Sequence, residues 1–223
     1  MARATTRTHF HSSQLIRVLA DLALLDAAPP GAAFAERLGL WVNFTDAIAL
    51  CAVQGAGGAA LDTNASDLPV AQAFAQTRAE LQAAMARACA ALAESADYEP
   101  YRRHYVAQQR DMEHKVAPLR ALLRDALETA SPALRQLAAL DAAFDSILAE
   151  REAKLLAALP LLLKQRFAHW QQTHALQQDT EQPTLQAPDW LVQFCQEMQT
   201  LLLAELDLRL QPALGLLEAF EHQ

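Results

Sequence analysis

Glycine is scarce in this chain: six in 223 residues, with Gly55, Gly57 and Gly58 clustered at one place. Runs rich in valine, isoleucine, threonine and tyrosine, which a sheet needs for its pleated faces, are missing. Lysine is nearly missing too, since 15 of the 18 basic residues are arginine. Cysteine is limited to Cys51, Cys89 and Cys195, an odd number without paired spacing. That excludes a disulfide framework and is expected of buried, reduced thiols in the cytosol. The longest charge-free apolar run, 47–61, has 15 residues and includes those three glycines. It falls short of the roughly 18–20 needed to cross a bilayer. Arg3 and Arg7 precede a leucine-rich segment, but Arg17, Asp21 and Asp26 interrupt it and no small-residue cleavage site follows. A soluble, cytoplasmic protein is therefore expected.

What is abundant is alanine, with 48 residues, together with leucine, glutamine, glutamate and arginine. These are the strongest helix formers, so the expected class is all-α. Hydrophobic residues make up 52% of the chain, enough to build a substantial core. The net charge of −8 is uneven: residues 171–223 hold eight acids against the single base Arg209. An acidic end repels nucleic acid and anionic headgroups.

The chain divides into a disordered N-terminus (1–11), an N-terminal helical region (12–66), a helical bundle (67–175), a polar linker (176–188) and a C-terminal helix (189–223). Ser12 or Ser13 can cap a first helix reaching about Ala27, ended by Pro29, Pro30 and Gly31. A second helical region spans 33–54, with a break near Asn43, and Asp67 opens a third running to about Ser95. Ser131 followed by Pro132 is an N-cap with proline at the first helical position. Before it, Tyr101, Tyr105, Met112, Val116, Leu119, Leu123 and Leu127 recur at spacings of three, four or seven. After it, Leu134, Leu137, Leu140, Phe144, Ile147, Leu148, Leu155 and Leu159 do much the same. Two such stripes predict a long antiparallel helical hairpin between Pro100 and Pro160, kinked at Pro118.

No catalytic motif appears. Gly55-Ala56-Gly57-Gly58 follows a helix rather than a strand and lacks the Lys-Ser/Thr pair of a phosphate loop. His9 and His11 have no metal-ligand partners at a suitable spacing, and none of the six serines sits in a nucleophile context. No catalytic, cofactor or metal residue is assigned. Glu150, Arg151, Glu152 and Lys154 are expected to form a solvated face with a Glu150–Lys154 pair. Tyr101, Arg102, Arg103 and Tyr105 combine the residue types that dominate protein interfaces.

The most pointed question is posed by residues 201–217, LLLAELDLRLQPALGLL, nine of which are leucine. Leu206 to Gln211 alternates like a strand but contains no β-branched residue and continues a helix that opens at Asp189. Glu205 and Arg209 then form a favourably ordered i, i+4 pair, with Pro212 and Gly215 breaking the helix. Leu202, Leu206 and Leu210 share one stripe while Leu201 and Leu208 lie on another side. A helix apolar on two sides is buried between layers or shared with a second chain. Trp190, Leu206, Leu208 and Leu210 are accordingly the leading partner-binding candidates, with Tyr101, Arg102, Arg103 and Tyr105 second.

YEPYRRHYVAQQRDME, PLRALLRDAL, SPALRQLAALDAAF, AEREAKLLAALP and LLLAELDLRLQPALGLLEAF resemble the core blocks of an uncharacterised bacterial, all-helical family. AFAERLGLWVNFTDAIAL resembles its N-terminal block, so the likeness covers most of 12–220. The resemblance supplies no catalytic residues. It implies a cytosolic accessory of an envelope machine, encoded beside stator- or TolQ-like proton-channel and OmpA-like proteins. The expected function is thus a non-enzymatic adaptor or assembly protein that binds another protein, a second copy of itself included. The alternative is a peripheral membrane or nucleic-acid binder using the arginines of the hairpin.

Overall fold

A computed structural model describes residues 13–24, 44–55, 68–92, 96–178 and 189–222. Among them are seven helices: α1 (Gln14–Asp21), α2 (Phe44–Gly55), α3 (Leu68–Leu92), α4 (Glu99–Ala130), α5 (Pro132–Leu156), α6 (Leu159–Gln178) and α7 (Asp189–Glu221). The described residues contain no strand, and the chain is all-α. The expectations for 1–11, 33–43 and the glycine-rich 56–67 fall outside the described residues. So do the Pro29–Gly31 stop, the Asp67 cap and positions 179–188 of the linker. Residues 176–178, assigned to the linker from sequence, are instead the last of α6.

α7 is the axis of the molecule, packing against α1, α3, α4, α5 and α6. Its helical period explains why: with neighbours on several sides, both leucine stripes find apolar cover. Leu201, Leu202 and Leu206 are fully buried, together with Phe194, Met198 and Ala213. The helix does not break at Pro212 and Gly215, as the sequence suggested, but runs through them to Glu221. Pro212 forfeits one backbone bond, whereas Ala213, Leu216, Leu217 and Phe220 beyond it are all buried. Burying three large apolar side chains is worth about 1.5–3 kcal/mol each and outweighs the lost bond.

The hairpin is formed by α4 and α5. Ser131 sits in extended conformation between them, its side chain accepts from the Leu134 amide at 3.3 Å, and Pro132 follows. α4 carries Pro118 inside it and continues as one helix of 32 residues. Every residue of its predicted stripe, Tyr101 to Leu127, is buried. The second arm departs from expectation. Of its stripe only Leu134 and Leu159 are buried, while Phe144 and Leu155 are exposed. The reason is that part of the contact between the arms is ionic. Arg120 and Arg124 each bond both Asp141 and Asp145, at 2.6–2.8 Å. The Glu150–Lys154 pair does form at 2.6 Å, with both side chains largely in solvent.

α1 ends earlier than Ala27. Leu24 N–H bonds the Leu19 carbonyl and Ala23 N–H the Ala20 carbonyl, both at 2.9 Å. That six-to-one and five-to-two pairing is a Schellman closure, and Ala23 takes the left-handed φ of 53° it requires. Ser13 occupies the N-cap position, but its side chain makes no capping bond. Two thiols are described, and they differ from the expectation of uniform burial: Cys195 is buried, whereas Cys51 on α2 is exposed.

Candidate functional site: a groove between α1, α3 and α7

The sequence-derived candidates separate into three groups. Trp190, Leu206, Leu210, Tyr101 and Tyr105 all belong to the protein's own core. They lie in the interior and not on a partner surface, because α7 and α4 are surrounded by other helices. Trp190, Tyr101, Phe167 and Phe194 form a nest of tilted and edge-to-face rings with centroids 5.1–5.5 Å apart. Arg102 and Arg103 remain on the surface. Arg102 is held by Glu99 through two bonds of 2.8 Å, and Arg103 approaches the same carboxylate at 4.0 Å. Leu208 alone among the leading candidates stays partly buried.

Beneath these lies a polar group that the sequence shows only as an i, i+4 pair. Glu205 is fully buried on α7. It accepts from the Tyr105 hydroxyl at 2.8 Å, from Gln109 Nε2 at 3.1 Å and from Arg209 Nε at 2.9 Å. The same Gln109 nitrogen reaches the Leu156 carbonyl at the end of α5. One carboxylate thereby joins α4, α5 and α7. Burial, reinforced by the adjacent Glu205 charge, pushes the Tyr105 phenol well above its ordinary range. Burial does the same to Tyr98, whose hydroxyl donates to the Pro160 carbonyl. A similar bond pattern fixes α6 to α7. Arg166 binds Glu197 twice, at 2.6 and 2.8 Å, and Trp170 Nε1 donates to that carboxylate at 2.9 Å.

Leu208 opens onto a groove of about 460 Å³ between α1, α3 and α7. Phe74, Leu208, Leu210 and Leu214 supply its apolar lining, and Ser13, Gln14, Arg17, Arg78, Asp207 and Gln211 its polar lining. Arg78 bonds Asp207 at 2.9 Å across the α3–α7 contact. Among the described residues no carboxylate pairs with Arg17, which is exposed on α1. The volume lies in the range of ordinary ligand and peptide-anchor pockets. The described residues hold no cluster of three or more metal-ligating side chains and no helix long and apolar enough to cross a membrane.

Comparison with known proteins adds a family. The family described as "Protein of unknown function (DUF3348)" matches residues 1–222. The chain belongs to the DUF3348 family. No curated protein and no solved structure matches it. The expected likeness to a family of unknown function, made on the hairpin and α7 blocks, is therefore met over the length of the chain.

Proposed function

We propose that this DUF3348 protein is a non-enzymatic adaptor that receives a segment of another protein in the groove between α1, α3 and α7. The observation that carries this reading is Leu208. It is the one leucine of the candidate set left partly buried, and it lies in a groove that also holds Phe74, Leu210 and Leu214. An apolar anchor ringed by polar groups is the usual anatomy of a protein-binding hot spot. The titratable groups with the largest shifts, Tyr98 and Tyr105, point into structural bonds rather than into a cleft. That supports a binding role over a catalytic one. The service to an envelope proton-channel system that the family likeness implies is compatible with such a role.

The alternative, an anionic surface or nucleic acid bound by hairpin arginines, has less support. Arg120 and Arg124 are neutralised by Asp141 and Asp145, and Arg102 by Glu99. A photo-crosslinking residue placed at position 208 in the full chain, in cells, tests the adaptor reading. The expected product is one defined protein adduct, lost when Leu214→Glu is introduced beside it. Adducts spread over many proteins, or none, would refute the reading.

A further inference from the structure

We infer that the segment taken by this groove presents an apolar side chain to Leu208 and a carboxylate to Arg17. This rests on the adaptor reading and specifies the chemistry of its partner. Three observations carry it. First, the charged lining is unbalanced: Arg17 and Arg78 face the same groove as the single acid Asp207. Asp207 is already engaged by Arg78 at 2.9 Å, and Arg17 makes no ion pair among the described residues. Second, the apolar half of the groove belongs to the packed core, with Phe74 7% and Leu210 3% exposed. A segment that reached Arg17 beside it would be partly desolvated, which strengthens a charge-assisted bond relative to one in open water. Third, the twelve residues that lead into Ser13 at the groove offer no acid of their own. Residues 1–12, MARATTRTHFHS, contain two arginines and no carboxylate. Charge complementarity therefore selects an acidic, apolar segment and disfavours a basic one.

The test uses the full-length protein and three matched sets of short synthetic peptides, each alternating leucine or phenylalanine with one polar type. The first set carries glutamate, the second glutamine and the third lysine, and binding is read by fluorescence anisotropy at low and high salt. The glutamate set is expected to bind, to weaken as salt rises, and to lose about tenfold in affinity with Arg17→Ala. Arg17→Lys is expected to recover most of that loss, and thermal melts of both variants should match the parent because Arg17 is exposed. Glutamine peptides binding as tightly as glutamate peptides, both abolished by Leu208→Glu, would overturn the carboxylate inference and leave the groove reading standing. Binding by no set, or binding indifferent to Leu208→Glu, would overturn both. Anionic vesicles captured through Arg17, or a dimer in sedimentation equilibrium that Arg17→Glu dissolves, would replace the peptide partner with a lipid surface or a second copy.

Discussion

The Tyr105 hydroxyl and the Glu205 carboxylate meet at 2.8 Å across 100 residues of sequence, inside the apolar contact between α4 and α7. Glu205 is the only charged side chain among the buried described residues, and Arg209 lies against it at 2.8 Å with little exposure of its own. A buried charge of this kind is strongly penalised when a partner is removed, because the remaining groups lose both bond and water. Tyr105→Phe should therefore cost about 1–3 kcal/mol, and Glu205→Ala about 3–5 kcal/mol. Urea unfolding followed by circular dichroism checks both. A Glu205→Ala variant as stable as Tyr105→Phe would mean that Glu205 does not anchor the helices.

The same burial sets an alkaline limit. Tyr98 and Tyr105 both have phenols raised by burial above their ordinary range. A group raised in the folded state contributes stability that is complete below its unfolded pKa and is lost as pH climbs toward the folded value. The protein should accordingly lose stability from about pH 10 upward. In a spectrophotometric titration, phenolate absorbance from these two tyrosines should appear together with loss of helical signal. Phenolate formation at pH 10 with the fold intact would contradict the burial argument.

Two backbone positions should respond in opposite ways to the same pair of residues. Ala23 holds a left-handed φ of 53°, where a Cβ is unfavourable, so Ala23→Gly should stabilise by about 1 kcal/mol. Gly215 lies inside α7, and a Cβ built there meets nothing within 4 Å. Gly215→Ala should also stabilise, by about 0.5–1 kcal/mol. Thermal melts would show both; a lower melting temperature in either variant contradicts its premise.

Leu206 and Leu208 are two residues apart and should behave as different kinds of residue. Leu206 is fully buried, so Leu206→Ala should cost about 2–5 kcal/mol through the cavity it leaves. Leu208 is partly buried beside the groove, and Leu208→Glu should leave the helical signal and the melting transition nearly unchanged while removing binding. Unfolding of Leu208→Glu would place that side chain in the core with Leu206.

Much of this fold is legible in the residues in order. The Ser131–Pro132 turn, the buried stripe of α4 and the helicity of the alternating Leu206–Gln211 segment follow from capping, proline geometry and period. These are local effects, felt within a turn or two of helix. Where local rules failed, a distant neighbour decided. Pro212 was expected to stop α7, but the burial of Leu216, Leu217 and Phe220 outweighs one missing backbone bond. The groove was only partly foreseen. Leu208 stood out by its side of the helix, whereas Arg17 and Phe74 carried no signal, since nothing in sequence brings α1 and α3 to α7. Glu205 was legible only as half of an i, i+4 pair with Arg209, because that spacing is the same in solvent and in a core.

The sequence alone thus determined the helices, the hairpin turn and the apolar faces available for packing, since each depends on near neighbours along the chain. Only the tertiary structure decided which of those faces met one another. It turned the leucines of α7 toward the protein's own interior, closed Glu205 under Tyr105, and left Leu208 beside Arg17 at a groove. Periodicity fixes which residues share a side of a helix, but what lies against that side is set by which helices surround it.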